Sequence, residues 1–222
     1  MVDGTLIATL SYPIRRNLNI LKVTKNNIRV TSRIAERGGL IIYPTETVYG
    51  LGCNPFDVEA VKQILKLKGN RNKPLPVLAA SINDAEKIAT FSQKGKKLAT
   101  KFWPGPLTIV VPKKTFLPDI VTFGLDSVGL RIPDNEAALR LIRLSGGLLI
   151  GSSANKSGGD PPRTVLEISE ELREKVNVVL DGGATAQGRP STIVDLTSGK
   201  PKILREGPVG LEEILDALTF SG

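Results

Sequence analysis

The sequence predicts a single α/β domain in which helices cover the faces of a mixed β-sheet. Short apolar runs suited to buried strands alternate along the 222-residue chain with segments of helical periodicity. In the second half, several predicted strands follow one another without a helix between them, which favours a mixed sheet over a purely parallel one. No linker-like segment divides the chain, so we predict one domain over residues 1–222.

The predicted elements follow from the spacing of apolar residues and from the residues that bound each segment. The predicted strands span 19–23, 40–43, 75–80, 107–112, 127–132, 148–151, 176–181, 192–196 and 202–205. The predicted helices span 27–37, 57–66, 83–89, 92–102, 134–144, 164–175 and 210–218. Asp57 and Asp134 are predicted N-caps, and Thr164 with Glu167 has the form of a capping box.

Composition indicates a folded core and a basic surface. Hydrophobic residues make up 41% of the chain, and aromatics at 5% leave a core built mainly of Leu, Ile, Val and Ala. The net charge of +8 favours an anionic partner such as a nucleotide or RNA. A generally basic, soluble surface is the alternative explanation of the same charge.

The residue inventory excludes several kinds of chemistry. The chain has no histidine, which rules out a Ser-His-Asp triad, a Cys-His dyad and zinc sites built on histidine. Its single cysteine, Cys53, rules out an internal disulfide and is predicted to pack as a small hydrophobe. Any metal would have to be a hard cation on oxygen ligands and phosphates, and Mg²⁺ is the expected one.

Nothing in the sequence indicates a membrane. No apolar run approaches the roughly 18 residues that a membrane span requires. The start, Met1 to Gly4, lacks the basic and then apolar layout of a signal peptide. We therefore expect a cytoplasmic protein.

Two segments directly follow predicted buried strands, where α/β folds place their ligands. Residues 43–52 (YPTETVYGLG) supply three hydroxyls, one carboxylate and two glycines after Pro44. Residues 151–160 (GSSANKSGGD) include six Gly or Ser residues, whose main-chain N–H groups suit an anion nest. The respective alternatives are an ordinary tight connection and a flexible surface loop. Neither segment is a Walker phosphate loop.

A third segment, residues 66–75 (KLKGNRNKPL), places four cations within eight residues. Its Gly, Asn and Pro content favours a shaped loop able to wrap a triphosphate, with a solvated charge run as the alternative. Residues 103–108 (WPGPLT) are predicted to form a structural corner with Trp103 in the core. Arg131 and Arg205 stand at predicted strand ends, where an arginine is more often a surface or ion-paired residue than a ligand.

Six segments together resemble the YrdC-like threonylcarbamoyl-AMP synthases. They are YPTETVYGLG (43–52), WPGPLT (103–108), VGLRIP (128–133), SANKSG (153–158), STIVD (191–195) and LREG (204–207), in a core of about residues 30–210. The resemblance implies a twisted, mostly open sheet with one large, basic concave cavity. It also implies a reaction in which L-threonine, bicarbonate and ATP give threonylcarbamoyl-AMP and pyrophosphate, for the N6-threonylcarbamoyladenosine modification at tRNA position 37.

By resemblance, two groups of residues would surround that cavity. Threonine would be held by Thr47, Arg131, the main chain of Gly151 and Ser191. ATP, carried with Mg²⁺, would face Lys68, Arg71, Lys73, Ser127, Ser153, Asn155, Pro161 and Arg205, with Asn155 alternatively shaping its loop. No metal ligand and no general base are assigned. Arg131→Ala is expected to abolish threonine-dependent turnover and to leave the fold intact.

The sequence departs from the family pattern in three places. Lys68 and Arg71 are separated by two residues in a loop one residue shorter than usual, and Leu78 stands where many members have histidine. The chain also leaves no room after the core for the extra C-terminal domain of longer members. Two alternatives therefore stay open: a non-catalytic protein that binds double-stranded RNA or tRNA, and a scaffold of a tRNA-modification complex. In the enzyme interpretation, the downstream partner is a threonylcarbamoyl-transferase complex.

Overall fold

A computed structural model describes residues 20–69, 73–198 and 200–219. The strands are β1 (Ile20–Lys22), β2 (Ile41–Tyr43), β3 (Gly50–Gly52), β4 (Val77–Ala79), β5 (Leu107–Pro112), β6 (Ser127–Arg131), β7 (Leu148–Ile150), β8 (Ser152–Ser153), β9 (Val178–Asp181), β10 (Thr192–Asp195) and β11 (Lys202–Arg205). The helices are α1 (Lys25–Glu36), α2 (Val58–Lys68), α3 (Ile82–Ile88), α4 (Gln93–Phe102), α5 (Asp119–Thr122), α6 (Glu136–Leu144), α7 (Glu170–Glu174) and α8 (Leu211–Thr219).

The strands form two mixed sheets, which confirms the α/β class and the mixed pairing. One sheet has the order β1-β9-β2-β3-β8, and the other has the order β11-β10-β5-β6-β4-β7. In the first, β2 pairs parallel with β9 and antiparallel with β3. The second likewise combines a parallel β5–β10 pair with an antiparallel β5–β6 pair. Strands β3 and β8 were not predicted, because they are only 3 and 2 residues long and contain no β-branched or aromatic residue.

The predicted N-cap is confirmed for α2 and corrected for α6, and α2 ends at Lys68 rather than at Lys66. The Asp57 carboxylate accepts a hydrogen bond from the amide of Ala60 at 2.9 Å, as an N-cap should. The cap of α6 is Asn135 rather than Asp134, because the Asn135 side chain is the one that accepts from the Ala138 amide.

The single helix predicted over 164–175 is wrong. A short 3-10 turn at Val165–Glu167 is followed by the separate helix α7, which Ser169 caps. Thr164 makes no side-chain cap, and the Glu167 carboxylate accepts from the amide of Arg163 at 2.7 Å instead of closing a capping box. The sequence pattern of a capping box is present, but the Glu167 carboxylate accepts from the amide of Arg163 and not from that of Thr164.

Cys53 and Trp103 differ in how far they enter the core. Cys53 is fully buried, and burial raises the pKa of its thiol to about 12, which confirms its interpretation as a small hydrophobe. Trp103 is only partly buried at the margin of the core, where its indole N–H donates to the carbonyl of Leu107. Within the described ranges, no helix has the length and apolar character that crossing a bilayer demands.

Candidate active site

A cavity of about 550 Å³ lies over one face of the six-stranded sheet. Alternate residues along β10, β5 and β6 line it, as the period of two in a strand requires. These residues are Ser191, Ile193, Asp195, Thr108, Val110, Ser127, Gly129 and Arg131. Residues 45, 47–50 and 151–153 line it from the other sheet and its loops. Such a volume is typical of small-molecule sites.

Strand register divides the cavity into two ends. Val110 pairs with Asp195 on one side and with Gly129 on the other, so these three residues form one row across the sheet. Along β6, Arg131 lies two residues to one side of that row and Ser127 two residues to the other. Four residues of strand span about 13 Å. The cavity therefore has an Arg131 end and a Ser127 end, with the Asp195 row between them.

At the Arg131 end, a buried ion pair fixes the guanidinium. Nη1 of Arg131 donates to Oε1 of Glu46 at 3.2 Å and to the hydroxyl of Thr47 at 3.0 Å. Arg131 and Glu46 are each only 5% exposed. Burial lowers the pKa of Arg131, and attraction to Glu46 opposes that shift. The second carboxylate oxygen of Glu46 has no hydrogen-bond partner among the described residues.

The loop after β2 holds Thr47 in place through its own hydroxyls. The Thr45 hydroxyl accepts from the amides of Thr47 and Val48 and donates to the carbonyl of Val48. It also shares a 2.8 Å hydrogen bond with the hydroxyl of Thr47. Local side-chain bonds of this kind stabilise a turn. Thr45 therefore shapes the turn, while Thr47 contacts Arg131 in the cavity.

Ser191 joins the two groups of residues that the sequence assigned to different substrates. Its hydroxyl shares a 2.8 Å hydrogen bond with that of Thr108 and accepts from Nη2 of Arg205 at 3.1 Å. The Nε of Arg205 also donates to the carbonyl of Ser191 at 2.9 Å. A residue predicted to hold threonine thus contacts a residue predicted to face ATP.

Most of the predicted site residues line this cavity. Those that do are Thr47, Lys73, Ser127, Arg131, Gly151, Ser153, Ser191 and Arg205. Lys68, Asn155 and Pro161 are not among its lining residues, and Arg71 lies outside the described part of the chain. The amide of Gly151 donates to the carbonyl of Pro76, so it is not available to a ligand.

Lys68 and Asn155 shape the loop of residues 151–160. The buried ammonium of Lys68 donates to the carbonyl of Ser153 at 2.6 Å and to the carbonyl of Asn155. The Asn155 side-chain amide donates to the carbonyls of Lys156 and Gly159. Of the two roles predicted for Asn155, these contacts correspond to shaping the loop.

Three polar residues at the site had no role predicted from the sequence. Thr108 lies in residues 103–108, which were interpreted as a structural corner. Glu46 lies in residues 43–52, where Thr47 was the residue assigned to a substrate. Asp195 stands four residues after Ser191 in a strand, so the period of two could have placed both on one face. The contact between Glu46 and Arg131 had no such signal, because the two residues are 85 positions apart.

The chain is similar to known proteins over most of its length. The family model described as Telomere recombination (Sua5, YciO and YrdC) matches residues 33–207. A curated threonylcarbamoyl-AMP synthase of Pyrococcus abyssi is 41% identical over 195 residues, which are 87% of this chain and 57% of that protein. A putative threonylcarbamoyl-AMP synthase of Methanocaldococcus jannaschii is 36% identical over 203 residues, 88% of this chain and 96% of that protein.

A solved structure of a relative has a closely similar fold. The crystal structure of P. abyssi Sua5 complexed with L-threonine superposes with a TM-score of 0.87 at 40% identity, over 90% of this chain and 61% of that one. The fold and its cavity define an α/β protein with a cavity of the size that small-molecule sites have. The chain belongs to the Sua5/YciO/YrdC family. It spans 57% of the length of its P. abyssi relative.

Proposed function

We propose that the protein is an L-threonylcarbamoyladenylate synthase. One observation carries the proposal: the buried Arg131, suited to a carboxylate, and the Ser191–Arg205 pair, suited to a phosphate, line one cavity. The names of the relatives support it, since they are called threonylcarbamoyl-AMP synthases, and one solved relative is complexed with L-threonine.

The proposed reaction forms the adenylate in two steps. The threonine amine adds to the carbon of CO₂ or bicarbonate, and a carbamate results with loss of a proton or of water. A carbamate oxygen then bonds to the α-phosphorus of ATP while the bond to the β-phosphate oxygen breaks, which releases pyrophosphate. Such a transfer requires positioning and charge neutralisation more than a covalent nucleophile.

In this mechanism, the cavity residues bind and orient. Arg131 would hold the threonine carboxylate, and the hydroxyls of Thr47 and Ser191 would fix the rest of the amino acid. Arg205 and Lys73 would offset the phosphate charge, together with the Mg²⁺ that accompanies ATP. Cations at Lys73, Arg131 and Arg205 support the basic character expected for the cavity, although Glu46 and Asp195 offset part of it.

Threonine-dependent pyrophosphate release tests this function. The protein is incubated with L-threonine, labelled bicarbonate, ATP and Mg²⁺, and both pyrophosphate and the labelled adenylate are quantified. We expect both products only when threonine is present, with a matched reaction lacking threonine as the control. The enzyme interpretation would be wrong if no pyrophosphate were released, or if its release did not depend on threonine.

The wider role proposed for the protein is in tRNA modification in the cytoplasm. The product would pass to a threonylcarbamoyl-transferase complex that acts on tRNA. The net charge of +8 supports double-stranded RNA or tRNA as a further partner. RNA binding that depends on phosphate contacts should weaken steeply as salt rises, which a titration at two salt concentrations measures.

A further inference from the structure

Asp195 is a carboxylate in a cavity proposed to take a triphosphate. Among the described residues that line the cavity, it is the single acidic one, beside the cations Lys73, Arg131 and Arg205. A carboxylate close to phosphate groups repels them, and the repulsion is strong where water is excluded. The arrangement is favourable only if a cation lies between the carboxylate and the phosphates.

The carboxylate of Asp195 is held by one of its two oxygens. Oδ1 accepts hydrogen bonds from the amide of Thr197 at 2.8 Å and from its hydroxyl at 2.7 Å. Within the described chain, Oδ2 takes part in no hydrogen bond or ion pair. One oxygen therefore fixes the orientation of the side chain, and the other is available as a ligand atom.

The position of Asp195 matches the place where the phosphates should lie. Its row, with Val110 and Gly129, runs between the Arg131 end and the Ser127 end of the cavity. Gly129 places no side chain in this row, and its main chain lines the cavity. The proposed function puts threonine at the first end, so the phosphates of ATP would pass over this row.

Residues in the described ranges provide no complete metal site. No group of three or more Cys, Asp or Glu residues there is arranged to hold a metal ion. Mg²⁺ does not require such a group, since it commonly binds through one or two carboxylates, the phosphates of the substrate and several waters. A single cavity carboxylate with a free oxygen fits that mode of binding.

We propose that Asp195 is the protein's ligand for the Mg²⁺ that arrives with the nucleotide. The proposal rests on the proposed function, because it requires a nucleotide in this cavity. Oδ2 would contact the ion directly or through one of its waters. The metal would turn the repulsion between carboxylate and triphosphate into attraction, so nucleotide affinity should depend on Mg²⁺ through this residue.

The test is the affinity of Asp195→Asn for an ATP analogue that cannot be cleaved between its α- and β-phosphates. Asparagine keeps the oxygen that accepts from Thr197 but removes the charge, so the local turn is retained. Calorimetric titrations are run with Mg²⁺ and with a chelator. For the unchanged protein we expect Mg²⁺ to tighten binding, and we expect Asp195→Asn to reduce that gain by about tenfold, the size of effect typical of mutating groups around a metal.

Two results of opposite sign are expected for Asp195→Asn. Binding with Mg²⁺ weakens, while binding in chelator becomes tighter than for the unchanged protein because a repulsive charge has gone. Electron paramagnetic resonance of Mn²⁺ gives a second readout, since the variant should release the ion from the ternary complex at lower competing chelator. If Asp195 only stabilised the turn with Thr197, Asp195→Asn would leave two quantities unchanged. They are the ratio of nucleotide affinities with and without Mg²⁺, and the chelator concentration that removes Mn²⁺.

Glu206→Gln is the matched control, because Glu206 is an exposed carboxylate that does not line the cavity. It should keep the Mg²⁺ dependence of the unchanged protein. If Asp195→Asn also keeps that dependence, the assignment of Asp195 is overturned while nucleotide binding stands. If the unchanged protein binds no nucleotide, the proposed function fails and this inference fails with it.

Discussion

Replacing Arg131 with methionine is expected to stop threonine-dependent pyrophosphate release and to lower the free energy of unfolding by about 3–5 kcal/mol. Activity falls because the threonine carboxylate loses the guanidinium proposed to bind it. Stability falls because Glu46, 5% exposed, keeps a buried charge without its counterion. Because of this buried ion pair, we expect a substitution at Arg131 to cost stability as well as activity.

A double variant separates these two effects. Arg131→Met combined with Glu46→Met removes both charges, and replacing a buried ion pair with apolar residues of similar volume is often neutral for stability. We expect urea denaturation to show most of the lost stability restored, while pyrophosphate release stays absent. Activity in either variant would mean that Arg131 does not bind threonine.

Replacing Gly52 with alanine is expected to destabilise the protein severely. A Cβ at this position would lie 2.4 Å from the carbonyl oxygen of Ile150 and 2.8 Å from the ring of Tyr43. Tyr43 is fully buried, and its hydroxyl donates to that same carbonyl at 2.8 Å, so neither neighbour has room to move. Overpacking of this kind costs about 1–3 kcal/mol, and more where the obstacle is main chain.

Gly159→Ala is the control for this substitution. A Cβ at Gly159 meets its nearest atom, the carbonyl oxygen of Lys156, at 3.4 Å, an ordinary contact, and the residue is exposed. Thermal and urea denaturation of both variants measure the difference. Equal stability of the two would show that Gly52 is not needed for packing against Tyr43.

The segment of residues 43–52 shows what the sequence could and could not predict. Its position after a buried strand, its hydroxyls and its glycines predicted a functional turn, and Thr47 does line the cavity. The glycines also have a structural role, because Gly50 and Gly52 form strand β3 and pack against the Tyr43 ring, while Gly50 lines the cavity as well. Pairing of such a short strand depends on tertiary contacts that no local pattern encodes.

Lys68 and Glu46 show the same limit for charged residues. Lys68 stands in a basic segment, which suits a phosphate ligand, yet its ammonium is buried on the carbonyls of a distant loop. Glu46 lies in the loop between β2 and β3, and Arg131 ends β6 in the other sheet. Only the assembled fold brings them within 3.2 Å of each other. Long-range burial and pairing decide the role of a charge in both cases. Ser191 and Arg131, which were assigned to the cavity by the family resemblance, do line it.

A structure of the protein with L-threonine, Mg²⁺ and the uncleavable ATP analogue tests the central claim most directly. The claim is that one cavity holds both substrates, with threonine at the Arg131 end. It predicts the threonine carboxylate in hydrogen-bond contact with Arg131 and the α-phosphate beside the Ser191–Arg205 pair. Threonine bound at the Ser127 end, or either substrate bound outside the cavity, would contradict it.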